Sequence, residues 1–224
     1  MGGGIILSLL PFAGAAIVAG NLDRGYYAQI EENLKDVTFD EIAPSDSIAW
    51  GTAHAFHAIV LFMDFQCPSC SSKLMQVVEM SKQTEGVRFV LRHYPLPNHA
   101  FAIPAALLAE YSSDHSKIVG FAELCSREKI YNDGDFQRLA ESAGILDASE
   151  DLPKIDETQL LRVRRDLEFA RRMMFRGTPT IVYANRNGDR RLLHPRELGG
   201  FIEQIQITKT SMSNKSQLGE NDDS

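Results

Sequence analysis

Eight consecutive residues, Ala58-Ile59-Val60-Leu61-Phe62-Met63-Asp64-Phe65, are apolar but for one acid and end one residue before Cys67-Pro68-Ser69-Cys70. A run of β-formers with no polar face is a strand buried on both sides, hence central in a sheet. The period then changes. Leu74, Val77, Val78, Met80 and Ser81 fall at helical spacing, and Glu85-Gly86 ends that helix. Val87–Tyr94 alternates and reads as a second strand, stopped by Pro95 and Pro97. The C-x-x-C unit therefore sits at the strand-to-helix turn of a βαβ unit, and the fold class is α/β.

The rest of the chain is arranged around that unit. Asn98 to Met174 is helical in pattern, with helices expected over Ala102–Tyr111, Lys117–Glu128, Phe136–Ala143 and Glu157–Met174, broken at Gly134, Gly144 and Pro153. Thr180–Ala184 reads as a strand, Asn187-Gly188 as a hairpin turn, Arg191–Leu193 as the returning strand and Arg196–Ile207 as a closing helix. Upstream, residues 23–50 form an extension with a helix around Tyr26–Leu34 and a loop at Ala43–Ser47; residues 208–224 are polar and expected to be a disordered tail.

With 224 residues, 44% hydrophobic and 24% charged, the chain can bury a sizeable core. A formal charge of −7 argues against nucleic acid or an anionic membrane as the main partner. The N-terminus runs apolar from Ile5 to Ala19, interrupted by Pro11 and carrying small residues at Ala13, Ala15, Ala16 and Ala19, with no Lys or Arg before it. It is short of the roughly 20 residues a membrane span requires. Three readings of residues 1–22 remain open: an export signal, a short N-terminal membrane anchor, or a buried helix remaining from a larger protein. The first two place the rest of the chain outside the cytoplasm.

Three cysteines are too few for a disulfide-stapled scaffold of this length. A thiol at the first turn of a helix meets unpaired backbone N–H groups and the positive end of the macrodipole, which favour thiolate. On that ground Cys67 is the candidate nucleophile and Cys70, one turn on, the resolving thiol. Pro68 suits the helix start, and Ser69 leaves the motif uncharged. Two other readings stand beside this. Half a zinc or copper site would need partners among Cys125, His54, His57 and His93, of which only His54-x-x-His57 has paired spacing. A purely structural disulfide would close a very small loop and stabilise little.

Three stretches carry a family resemblance: FMDFQCPSC (Phe62–Cys70), VRFVLRHYPLPNHAFAIPAALLAEY (Val87–Tyr111) and ARRMMFRGTPTIVY (Ala170–Tyr183). Together they resemble the DsbA-like branch of the thioredoxin superfamily. The resemblance implies a thioredoxin-like α/β domain over 51–207 with a helical insertion at about 98–170. It implies a cis Pro179 whose loop packs against the Cys67–Cys70 turn, and a Thr178 backbone presented to substrate peptides as an extra strand. It also implies dithiol–disulfide exchange with secreted or periplasmic protein thiols, without organic cofactor or metal, and reoxidation by a membrane redox partner. Thr178 leaves a reductase or isomerase role open, and a binding or chaperone module that kept the fold is the reading from another class.

One departure stands out. Many relatives carry a buried Glu six positions before the first cysteine, where this chain has Leu61. Asp64 matches a common family position, but strand alternation would turn it to the face opposite Leu61. Cys125 is expected in the core, Met173, Met174 and Phe175 in the core or a groove lining, and the cluster Arg162, Arg164, Arg165, Arg171 and Arg172, lying among Asp166 and Glu168, on a solvated helix face. His54 and His57 fall in a loop or at a strand start, with no role assigned.

Overall fold

A computed structural model describes residues 24–207 apart from 113 and 149; the expected leader or anchor at 1–22 and the expected tail at 208–224 lie outside the described residues. The elements, in chain order, are α1 (24–34), α2 (Phe39–Ile42), β1 (Ala49–Gly51), β2 (His57–Met63), α3 (Pro68–Gln83), β3 (Val87–His93) and α4 (Ala102–Tyr111). They continue with α5 (His115–Arg127), α6 (Asp133–Ser142), α7 (Glu157–Arg172), β4 (Thr180–Asn185), β5 (Arg190–Leu193) and α8 (198–207). The five strands form one sheet in the order β1-β3-β2-β4-β5. β2 pairs in parallel with β3 and antiparallel with β4, while β1 and β5 add antiparallel edges.

The apolar run dictates this arrangement. From Ala58 to Met63 every residue of β2 is buried, so helices must cover both sheet faces. Ile59, Leu61 and Met63 point into one core with Phe89 and Leu91 of β3, Leu74 of α3, Phe121 of α5 and Phe136 of α6. Ala58, Val60 and Phe62 point into the other, against Ile30 and Leu34 of α1, Ile42 of α2 and Phe169 of α7. The helical insertion α4–α6 thus joins the face that holds the C-x-x-C helix, and α7 returns on the opposite face.

β3 differs from its expected character. Its alternating sequence suggests one polar face, yet all seven positions are buried, including Arg88, Arg92 and His93. These side chains are partnered internally, although Arg92 NH2 and His93 Nδ1 are buried without a hydrogen-bond partner among the described residues. Arg88 donates to the Ala43 and Ser45 carbonyls, each at 3.0 Å. Arg92, fully buried, donates from Nε to Asp166 Oδ1 at 2.8 Å and from its NH1 amino group to the Glu41 carbonyl at 2.7 Å. Its guanidinium lies over the Phe62 and Phe169 rings, 4.9 and 4.3 Å from their centroids. The second Asp166 oxygen accepts the His93 backbone N–H at 2.9 Å.

The solvated-face expectation for α7 therefore holds only in part. Arg164 and Glu168 form an exposed pair, but Asp166 is 1% exposed, and the half-buried Arg162 and Arg165 pair with the exposed Asp46 across from the helix. Arg162 also reaches Glu110, which binds His93 Nε2 at 2.8 Å.

Removing one partner of a buried ion pair leaves the other charge uncompensated, which costs about 3–5 kcal/mol. Asp166→Ala should therefore shift the urea midpoint sharply down. The double change Arg92→Met with Asp166→Leu should recover much of that loss. A double variant no better than Asp166→Ala would show that the pair's charge is not what the site requires.

Candidate active site

The end of β2 and the start of α3 build the central turn. Cys67 is the residue before the helix proper, with Pro68 at its first position. The Cys67 N–H donates to the Asp64 carbonyl at 3.1 Å, and the Cys67 carbonyl accepts from Cys70 and Ser71 N–H at 3.0 and 3.2 Å. The fixed φ of proline and its missing N–H fit this position, where a donor would go unpaired. No acidic residue occupies the first turn of α3, so nothing there opposes negative charge on the sulfur.

Both cysteines are free and buried, Cys67 being 8% exposed and Cys70 0%. The Cys67 thiol is lowered to about 5, chiefly by a hydrogen bond from the Cys70 thiol, which outweighs the opposing effect of burial. Ser69, the Thr178 hydroxyl and the Cys70 backbone N–H add to the lowering. The Ser69 Oγ lies 3.1 Å from Cys67 Sγ, and the thiol can donate to the Thr178 carbonyl at 3.7 Å. Thr178 Oγ1 is buried without a hydrogen-bond partner of ordinary geometry among the described residues, yet it stands close enough to both sulfurs to favour negative charge on them. Cys70 is pushed strongly upward, first by burial and then by its hydrogen bond to Cys67. One thiol is thus held ready to ionise and its neighbour is held protonated.

The Thr178–Pro179 peptide bond is cis, and its loop lies directly against Cys67. The loop is fastened at several points. Tyr94 donates its hydroxyl to the Phe175 carbonyl at 2.8 Å, Asn33 reaches the Met173 carbonyl at 3.3 Å, and the Arg176 N–H donates to the Tyr26 hydroxyl at 3.2 Å. Met173 and Phe175 are in the core, while Met174 between them is exposed with a positive φ of 62°.

Asp64 departs from its expected orientation. β2 ends at Met63, so strand alternation no longer governs the next side chain. Its carboxylate is buried and accepts from Gln66 N–H at 2.7 Å and Leu96 N–H at 2.7 Å, with His99 Nδ1 at 2.8 Å. Gln66 in turn accepts the Phe101 N–H at 2.6 Å, so the loop after β3 is bolted to the turn after β2. Leu61 is fully buried in the apolar core. Cys125, 2% exposed on α5, is pushed up to about 12 by burial and by the charge of Asp64.

His99, Tyr26 and Asn33 are the residues of this end that sequence reasoning missed. A usable signal existed for His99. β2 and β3 are adjacent parallel strands, so the segments leaving their carboxyl ends must meet. The other histidines go elsewhere: His57 opens β2 and binds the Tyr183 hydroxyl at 2.9 Å, and His54 lies in the loop before it. Among the described residues no group of three or more His, Cys, Asp or Glu side chains could hold a metal ion.

Comparison with known proteins agrees with this geometry. A family model described as thioredoxin matches residues 44–204. Among solved structures, BcfH of Salmonella enterica Typhimurium is 19% identical with a TM-score of 0.66, each chain being covered to 86%. The catalytic domain of Proteus mirabilis ScsC is 16% identical, TM-score 0.61, covering 78% of this chain and 97% of its own. The thiol-disulfide exchange protein alpha-DsbA2 from Wolbachia pipientis is 15% identical, TM-score 0.58, with 79% and 95% covered. Among curated proteins none matches the sequence. The sequence match runs from the loop before β1 into the closing helix, and it makes this chain a member of the thioredoxin superfamily, folded as the DsbA-like branch is.

Proposed function

We propose that the protein is an extracytoplasmic thiol–disulfide oxidoreductase that forms disulfides in secreted protein substrates through Cys67 and Cys70. The observation that carries this reading is the asymmetry of the two thiols: Cys67, at the helix start beside the cis Thr178–Pro179 bond, is lowered to about 5, and Cys70 is buried and protonated. The apolar run at 5–19 supports export or anchoring, and a solved structure of similar fold is named a periplasmic thioredoxin-like protein from Salmonella enterica serovar Typhimurium.

In the forward reaction a substrate thiolate attacks the Cys67 sulfur of the oxidised pair. The Cys67–Cys70 bond breaks, and Cys70 leaves and takes up a proton. The second substrate thiolate then attacks the substrate sulfur of the mixed disulfide, and Cys67 departs. Two electrons pass from substrate to the pair. Of the two substrate protons, one ends on Cys70 and one in solvent, because Cys67 stays ionised at neutral pH. A low-pKa thiol is a good leaving group, and stabilising the thiolate stabilises the reduced protein, so both effects favour passing the disulfide on. Thr178 and Pro179 are assigned to holding the substrate backbone, Pro68 and Ser69 to shaping and stabilising the thiolate turn, and Asp64 to fixing that turn against the β3 loop. A membrane partner returns the pair to the disulfide.

Cys67→Ser should abolish oxidation of a reduced, unfolded test protein, whereas Cys70→Ser should accumulate mixed disulfides with it. Full oxidation by Cys67→Ser would overturn the reading. Equilibration against glutathione should give a potential closer to about −120 mV than to about −270 mV, the latter being the mark of a reductant.

The thiolate absorbance of the reduced protein should titrate with a midpoint near 5 that is lost in Cys67→Ser. Because the folded value is depressed, this thiolate adds stability that is fully present above the unfolded thiol's value near 8.5 and is lost as pH falls toward 5. Chemical denaturation of the reduced protein across that window should follow the same course. A midpoint near 8.5 would remove the argument for the direction of transfer.

A further inference from the structure

Beside the cis-proline loop lies a groove of about 300 Å³, floored by Thr178, Pro179 and Ile181 and walled on one side by Tyr26 and Tyr27 of α1. Arg176 is the one charged side chain lining it among the described residues. This arginine is exposed and makes no ion pair with any described residue, in a protein whose other arginines are mostly paired and whose net charge is −7. It is nevertheless held in place. Its backbone N–H donates to the Tyr26 hydroxyl at 3.2 Å, and its guanidinium sits over the Tyr26 ring, 4.4 Å from the centroid. Tyr27 buttresses that ring edge-on at 5.8 Å. A guanidinium held over an aromatic face spends none of its N–H donors on that contact, and its planar fork can take a carboxylate in bidentate fashion.

The position of this charge matters. Arg176 precedes Thr178 by two residues, so their backbones are at most about 7 Å apart. The Thr178 carbonyl is 3.7 Å from the Cys67 sulfur. Thr178 is thus shared by the groove lining and the surroundings of Cys67, and a peptide that pairs with the Thr178 backbone while its cysteine reaches Cys67 would bring a neighbouring side chain within reach of the guanidinium.

Building on the exchange function proposed above, we infer that Arg176, clasped by Tyr26, is a specificity-determining residue that favours extended protein segments with an acidic side chain one or two positions from the reacting cysteine. The occupant is a substrate strand, selected by charge complementarity. Its thiolate attacks Cys67, the Cys67–Cys70 bond breaks and Cys70 takes the proton, while the carboxylate–Arg176 pair steadies the mixed disulfide.

The test uses the oxidised full-length protein and a set of short peptide thiols that differ only in carrying Glu, Gln or Lys next to cysteine. Each rate is divided by the same peptide's rate with an uncharged disulfide, 2-hydroxyethyl disulfide, which cancels differences in intrinsic thiol reactivity without adding a charge effect of its own. An exposed charge pair contributes modestly and is screened by salt, so the Glu-to-Lys ratio should be about three- to tenfold at low ionic strength and shrink as salt is added. Arg176→Ala should bring the ratio close to one, Arg176→Glu should invert it, and Arg176→Lys should keep part of it. Tyr26→Ala, by releasing the clasp, should lower it.

Equal ratios in the wild-type protein and Arg176→Ala would overturn the inference while leaving the exchange reaction intact. A ratio that changes with protein concentration, the sign of a second copy in the groove, would overturn it too. Wild-type protein that reacts with none of the thiols would overturn the exchange reading and this inference together.

Discussion

The pairing of β2 with its two neighbours governs the site. Because β3 runs parallel to β2 and β4 runs antiparallel, the carboxyl ends of β2 and β3 and the amino end of β4 come to the same end of the sheet. Cys67 leaves the first, the Asp64-bound loop with Leu96 and His99 leaves the second, and Thr178-Pro179 enters the third. No one of these segments makes the site alone. The electrostatics of Cys67 depend in part on Thr178, 111 residues away in sequence, and its turn is held by a loop more than 30 residues downstream.

Burial of β2 on both faces has an electrostatic consequence. A sheet covered by helices on each side leaves little room for solvated charge, yet β3 carries Arg88, Arg92 and His93 into it. Each finds at least one fixed partner, from carbonyls of the chain between α2 and β1, Asp166 of α7 or Glu110 of α4, while Arg92 NH2 and His93 Nδ1 stay unpartnered among the described residues. These contacts tie the elements before β1 and the long α7 to the central strands. The same α7 leads directly into the cis-proline loop, so the register of the buried ion pair and the placement of Thr178 share one rigid support.

Much of this was legible in the sequence because the signals were local. Continuous hydrophobicity marked β2, the period change marked α3, and Asn187-Gly188 marked the hairpin between β4 and β5. α2 was legible but overlooked: Thr38-Phe39-Asp40-Glu41 is a capping box, with Thr38 and Glu41 satisfying each other's backbone N–H. β1 was not legible, since Ala49-Trp50-Gly51 is too short for a period and is fixed by pairing with β3. Within the site, the cysteines and the Thr178–Pro179 contact could be expected from motif and resemblance. The orientation of Asp64 and the roles of Tyr26 and Asn33 could not, because they depend on where a strand stops and on contacts between distant elements.

The third cysteine shapes what kind of reagent this protein is. The Cys125 thiol, pushed up to about 12 by burial and by the charge of Asp64, is held protonated at neutral pH inside the core that α5 shares with the sheet. In the proposed exchange, a thiol held protonated and so enclosed is kept from competing for the Cys67–Cys70 disulfide or capturing a substrate's sulfur. Under the exchange function proposed above, the chain carries three thiols but trades electrons through two, and its mixed disulfides have a single internal route to resolution.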